Sequence, residues 1–78
     1  MPGRHPIGWL VMSIGGDGPP ALGDLHPTQA EALAEMAGVL AVAREGGSTL
    51  IVEAGGTYAY DVDRDWEWTV EAVFGAGS

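Results

Sequence analysis

The chain has 78 residues, no cysteine, and eleven Asp and Glu residues against three Arg, so its formal net charge is −8. This length predicts one small domain over residues 1–78, and the lack of cysteine excludes disulfides, thiolate metal sites and cysteine nucleophiles. The acidity disfavours nucleic acid and anionic membranes as partners, and it suits a basic protein partner.

The first predicted element is a strand at Ile7–Ile14. Residues 9–14 carry no charge and no proline, and they are apolar at both alternating sets of positions, which indicates a strand buried on both faces. Glycines and prolines then predict a loop at Gly15–Asp24. Because an uncharged edge strand is normally covered, we expect either a homodimer joined through Trp9–Ile14 or a strand order that places this strand inside the sheet.

The strongest pattern in the chain predicts a helix at Pro27–Glu45. One start has His26 or a neighbour as the N-cap and Pro27 at the first helical position, where the fixed φ of proline suits a helix and its missing N–H has no helical partner anyway. The alternative start is a capping box formed by Thr28 and Glu31. Both starts fit the sequence.

The two sides of this helix differ in polarity. One side is apolar at the 3.6-residue period and contains Leu33, Met36, Ala37, Leu40 and Ala43. The other side contains Glu31, Glu35, Gly38, Val42 and Glu45. A glycine in mid-helix costs about 1 kcal/mol relative to alanine, so we expect another element to approach Gly38 closely. Gly46 and Gly47 predict a left-handed end to the helix.

Three further strands are predicted after the helix, at Thr49–Ala54, Thr57–Val62 and Asp65–Phe74. Gly55 and Gly56 predict a two-residue hairpin turn between the first two. From residue 58 to residue 71, larger side chains alternate with acidic or small ones, which indicates strand. This pattern is too long for one strand of so small a domain, so a second turn is expected at residues 63–65.

The register of the last two strands depends on the length of this second turn. A two-residue turn places Tyr60 opposite Glu67 and mixes the two faces. A three-residue loop pairs large side chains with one another: Val62 with Trp66, Tyr60 with Trp68, and Tyr58 with Val70. Because a slip of one residue moves every side chain to the other face, we predict the three-residue loop. The resulting aromatic face is expected to pack under the helix, with Asp61 opposite Glu67 on the other face.

These elements predict an α+β fold in the order β-α-β-β-β, with one amphipathic helix packed on a mostly antiparallel four-stranded sheet. The last three strands are expected to form an antiparallel meander. If the first strand lies beside the second, the helix is a right-handed crossover connection and that pair of strands is parallel.

The candidate partner-binding residues are the acids of the hairpin and of the helix: Asp61, Asp63, Asp65, Glu67, Glu31 and Glu35. The hairpin acids also resemble a calcium loop in their spacing. An EF-hand loop that starts at Asp61 needs glycine at its sixth position and glutamate at its twelfth, and the chain has Trp66 and Ala72 there. No metal site is therefore predicted, and a calcium-responsive domain is retained as an alternative function.

Catalytic and cofactor sites are not predicted either. The glycines at residues 15–18 follow a strand, but they lack the lysine and the spacing of a phosphate-binding loop. No nucleophile, base and acid can be grouped from the sequence, so a small enzyme is retained only as a further alternative. The aromatic face could stack bases, but such platforms come with a positively charged groove, which a chain with three Arg lacks.

Together these observations predict a non-enzymatic, acidic protein-interaction module. The lack of Lys and Asn beside abundant Gly and Ala is typical of a GC-rich genome, which suits a phage or actinobacterial accessory protein. No apolar run approaches the ~20 residues of a membrane span, so a cytoplasmic location is expected. No motif in the chain identifies a family.

Overall fold

The computed structural model describes residues 5–16 and 18–75. In chain order the elements are β1 (Gly8–Gly15), β2 (Ala21–Leu22), α1 (Gln29–Glu45), β3 (Leu50–Glu53), a 3-10 turn (Ala54–Gly56), β4 (Tyr58–Asp61) and β5 (Trp66–Val73). The strands form one sheet in the order β2-β1-β5-β4-β3, and all neighbouring strands are antiparallel. The predicted α+β class is confirmed, and the sheet has five strands rather than four.

The additional strand, β2, lies within the segment predicted as a loop at Gly15–Asp24. Its two residues, Ala21 and Leu22, pair with β1. Residue 17 of the predicted loop lies outside the described residues. No helix in the described ranges is long and apolar enough to cross a membrane.

α1 begins at Gln29 because Thr28 caps it. The Thr28 hydroxyl accepts a hydrogen bond from the backbone N–H of Glu31 (3.2 Å) and donates one to the Glu31 carboxylate (2.9 Å). The start at Thr28 is therefore right, and the start at His26 is wrong. His26 is held outside the helix because its backbone N–H and C=O groups pair with those of Trp9 in β1.

α1 packs on the sheet through Ala32, Met36 and Leu40, which are buried. Met36 and Leu40 belong to the predicted apolar side, whereas Ala37 of that side is exposed because the contact surface is rotated toward Ala32. The core cluster joins Met36 and Leu40 to Val11 of β1, Ala59 of β4 and Trp68 of β5. Full burial of large apolar side chains such as these contributes roughly 1.5–3 kcal/mol each.

The outward side of α1 carries Gly38 and Val42. A Cβ added at Gly38 would meet nothing within 4 Å, so the expected close approach of another element is wrong for the described residues. Val42 is 70% exposed, in keeping with its predicted place among the acids. The helix ends at Glu45, and Gly47 takes the left-handed conformation (φ 93°) that was expected after it.

β1 lies inside the sheet. β5 pairs with all eight residues of Gly8–Gly15, and on the other side β2 and a bridge between Trp9 and His26 pair with β1. The internal position is thus the one observed. The predicted parallel pair of the first strand with the strand after the helix is wrong, because β1 pairs with β5 and not with β3. A homodimer through Trp9–Ile14 stays a prediction, but the backbone of that segment offers it no free edge.

β3, β4 and β5 form the predicted antiparallel meander. The turn between β3 and β4 is longer than the predicted two-residue turn, because residues 54–57 connect the strands and three of them have positive φ. In the second hairpin Tyr60 lies opposite Glu67, so the register predicted from a three-residue loop is wrong by one residue.

Asp61 explains the register of this second hairpin, in which residues 62–65 connect β4 to β5. The Asp61 carboxylate accepts hydrogen bonds from the backbone N–H groups of Asp63 (3.0 Å) and Arg64 (3.2 Å). Asp65 has a φ of 54° and donates its N–H to the Asp61 carbonyl oxygen (3.0 Å). These bonds close a loop that is one residue longer than predicted, and they outweigh the pairing of large side chains.

The observed register divides the predicted aromatic face between the two sides of the sheet. Trp66 and Trp68 face α1, whereas Tyr58 and Tyr60 face away from it. Asp61, which was expected on the outer face, lies on the helix side and is 1% exposed. The single aromatic platform under the helix is therefore wrong.

Candidate functional site

The described part of the chain leaves one face of the sheet without a helix, and we call it the open face. Side chains alternate between the faces of a strand, so the residues that alternate with the buried Val11, Ala59 and Trp68 point away from α1. The open face consists of Leu10, Met12 and Ile14 of β1, Leu22 of β2, Ile51 and Glu53 of β3, Tyr58 and Tyr60 of β4, and Glu67, Thr69, Glu71 and Val73 of β5.

β1 supplies the open face with a column of three apolar side chains, which are half-buried. Leu22 lies beside Met12 of this column and is 65% exposed. Leu25 packs over Gly8, where an added Cβ would clash with the leucine side chain, and it is 53% exposed. Leu22 and Leu25 therefore widen the column into an apolar patch that is in contact with water, and such patches often mark interaction sites.

β5 supplies a column of carboxylates next to the apolar one. Glu67 lies opposite Ile14, and Glu71, which is exposed, lies opposite Leu10. The Tyr58 hydroxyl donates a 2.8 Å hydrogen bond to the Glu67 carboxylate. This bond, followed by burial and by the negative charge of Glu67, raises the pKa of Tyr58 above its usual 10.0, so the phenol stays neutral and donating.

A cavity of about 410 Å³ lies at the hairpin end of the open face, and Ile14, Tyr60 and Arg64 are among its walls. The Tyr60 hydroxyl donates a 2.7 Å hydrogen bond to the Asp65 carboxylate, and this bond is the main reason that the pKa of Tyr60 is raised. Both tyrosine hydroxyls are thus committed to carboxylates of their own chain. Their rings and the partner carboxylates remain on the face.

The open face is negatively charged, because it carries Glu53, Glu67 and Glu71. The Arg residues of the described chain are Arg44, which is on α1 on the other side of the sheet, and Arg64 in the hairpin loop. An arrangement of apolar side chains beside carboxylates complements a partner whose apolar side chains are flanked by Lys or Arg.

The hairpin acids predicted to bind a partner do not form one surface. Asp61 is buried, and Asp63 accepts a 2.8 Å hydrogen bond from the backbone N–H of Thr49. Asp65 and Glu67 accept the two tyrosine hydroxyls. No three His, Asp or Glu side chains within residues 5–16 and 18–75 are placed to hold a metal ion. The calcium-responsive alternative therefore has no carboxylate cluster to use among the described residues.

The helix acids predicted to bind a partner lie on the opposite side of the molecule from the open face. Glu31 takes part in the Thr28 cap. The Glu35 carboxylate lies 2.6 Å from Nε2 of His26, and both side chains are partly buried. This contact fastens the segment before α1 to the helix, so Glu35 has a structural role.

Sequence reasoning missed the apolar column and Glu71, although a signal for them is present. Residues 9–14 are apolar at both alternating sets of positions, which means that both faces of β1 need a cover. Within the described residues α1 covers one face only. The open face, with its apolar column and its carboxylates, is the feature from which a function can be argued. Comparison of the chain with family models, with curated proteins and with solved structures finds no significant match.

Proposed function

We propose that this chain is a non-enzymatic protein-interaction module that binds a basic amphipathic helix of another protein on its open face. The observation that carries the proposal is the apolar column of β1 beside the carboxylates of β5, which no described element covers. A sheet with apolar side chains on both faces is normally covered on both. α1 covers one face, and the bound helix would cover the other.

The charge pattern of the open face defines the chemistry of this partner. An apolar stripe on the bound helix packs on the apolar column, and Lys or Arg residues on one flank of the stripe pair with Glu67 and Glu71. A second copy of this chain is a poorer occupant of the open face, because the carboxylates of one open face would meet those of the other. The role as a phage or bacterial accessory protein stays a prediction from composition.

The test uses a synthetic helical peptide of Leu and Lys in which lysines flank one leucine stripe. We expect it to bind the full chain with a dissociation constant of about 1–100 µM. Binding should weaken as NaCl rises from about 50 mM to about 500 mM, because salt screens the charge pairs. Fluorescence anisotropy of the labelled peptide measures the dissociation constant and its dependence on salt. The same peptide with Glu in place of Lys is expected not to bind.

Two matched pairs of variants separate binding at the open face from general attraction to an acidic chain. Glu71→Gln is expected to weaken peptide binding roughly two- to fivefold, whereas Glu45→Gln removes the same charge from the end of α1 and leaves binding unchanged. Leu22→Ser is expected to weaken it roughly tenfold, whereas Val42→Ser changes a similarly exposed side chain on α1 without effect. Equal effects within either pair contradict the proposal.

A further inference from the structure

A second unoccupied surface lies at the outer edge of β3. The strand order makes β3 the last strand of the sheet, and β4 is its one neighbour among the described residues. β3 contains no proline and no lysine, and Glu53 is its one charged residue. Such an edge is a template for pairing with another chain. The opposite edge strand, β2, has only two residues, and very short edge strands are themselves a protection.

The hydrogen bonds between β3 and β4 show which backbone groups of the edge point outward. The Val62 N–H donates to the Thr49 carbonyl oxygen (3.0 Å), so Thr49 and every second residue after it direct their backbone groups at β4. Leu50 and Val52 alternate with these positions. Their N–H and C=O groups therefore point away from the sheet, ready for an incoming strand.

A groove of about 300 Å³ runs beside this edge, between β3 and α1. Its lining includes Leu33, Met36, Leu40 and Val52, and Arg44 is its one charged side chain within the described residues. The open face carries several carboxylates, whereas the described lining of this groove has none. A strand paired with β3 would direct alternate side chains toward this groove.

We propose that two copies of the chain pair through their β3 edges and form one continuous sheet across a two-fold axis. In the antiparallel register that uses all outward groups, Leu50 lies opposite Val52 of the partner subunit, and Ile51 meets its counterpart on the axis. Glu53 then lies opposite Thr49 of the partner subunit, an uncharged residue, so the two Glu53 side chains are not paired with each other. The groove adds no carboxylate to this contact.

The strength of this pairing follows from its size and charge. Because β3 has only four residues, we expect the contact to bury less than the ~1,200 Å² of a stable specific interface and to have a dissociation constant between about 10 µM and about 1 mM. Association should tighten at high salt, because screening reduces the repulsion between two acidic chains. The binding of a basic helix has the opposite salt dependence and depends on the side chains of β1 and β5 rather than on the backbone edge of β3, so the failure of one proposal is distinguishable from the failure of the other.

Sedimentation equilibrium from about 10 µM to about 1 mM protein measures the association of the full chain. Amide hydrogen exchange, followed by NMR over the same range, reports the register. We expect exchange to slow with concentration at Leu50 and Val52 and to stay constant at Ile51, whose N–H points at β4. A chain that stays monomeric at about 1 mM in high salt overturns the proposal.

Two variants that act by different means test the edge itself. Val52→Pro removes an outward N–H, which an edge strand tolerates, and is expected to weaken the dimer at least about tenfold. Ile51→Lys sets two lysines against each other on the axis and is expected to do the same. The control Val42→Lys makes the same charge change on α1 and keeps the dimer. A dimer that survives both edge variants, with circular dichroism showing a folded chain, overturns the proposal.

Discussion

Asp61 is the one charged side chain that is buried among the described residues. Burial by itself raises the pKa of a carboxyl group. Here it is opposed by a hydrogen bond from the Ser48 hydroxyl and by the backbone N–H groups of Arg64 and Asp63. With the added charge of Arg64, these donors hold the pKa of Asp61 below its usual 3.8. The carboxylate thereby ties the end of β4 to its loop and to the residues before β3.

Asp61→Ala is expected to lower the thermal midpoint by more than about 10 °C at about pH 7, because it removes a buried carboxylate that accepts part-buried hydrogen bonds from the backbone N–H groups of Asp63 and Arg64. Since the folded-state pKa of Asp61 is lowered, the stability that its ionised form contributes is present above about pH 5 and is lost as the pH falls through that pKa. The gap between wild type and variant should therefore narrow below about pH 4.

Circular dichroism melts across this pH range measure the effect of Asp61→Ala. Asp24→Ala removes an exposed acid from a loop and serves as the control, with an expected change of less than about 2 °C. A gap that keeps its full size down to about pH 2.5 would show that Asp61 acts by its shape and not by its charge.

At the scale of elements, the predicted start of α1 differs from the observed start by two residues, and its predicted end at Glu45 is confirmed. Its boundaries depend on neighbouring residues, because Thr28 caps the first turn and Gly47 supplies the left-handed stop. The rotation of its buried side toward Ala32 was not predictable. That rotation depends on how the helix lies across β1 and β5, which no local pattern reports.

Gly38→Ala is expected to raise the free energy of unfolding by about 1 kcal/mol, because the alanine has better helix propensity and meets nothing within 4 Å. Urea unfolding measures this change. The reverse substitution at an exposed position of the same helix, Ala41→Gly, should lower the free energy by a similar amount. Destabilisation by Gly38→Ala would reveal a close contact at that position.

The β4–β5 hairpin shows where reasoning from the alternation of large and small side chains along a strand fails. The rule that large side chains pair across a hairpin predicted Tyr60 opposite Trp68, and the fold has Tyr60 opposite Glu67. Asp61 caps the connecting loop, and Trp66 packs against Gly15 of β1 so closely that a Cβ there would clash. These contacts involve a carboxylate turned inward and a third strand, so the alternation within one hairpin could not indicate them.

At the scale of the whole molecule, the net charge of −8 acts against compactness, because the carboxylates repel one another. We expect the thermal midpoint to rise by about 3–6 °C when NaCl increases from about 10 mM to about 300 mM. The same experiment near pH 4, where many carboxylates are protonated, should give a smaller rise. A midpoint that falls with salt would mean that attractive contacts such as that of His26 with Glu35 outweigh the repulsion.

The helix, the meander and the α+β class followed from local sequence, because capping, periodicity and turn residues act over a few neighbours. The order of the strands did not. The apolar side chains on both faces of β1 do not indicate which strand it pairs with. The entropy of closing a loop changes slowly with loop length, so the connecting segments do not favour one strand order strongly over another. Only the folded sheet shows that β1 is internal, and that no described residue covers its second face or pairs with the outer edge of β3.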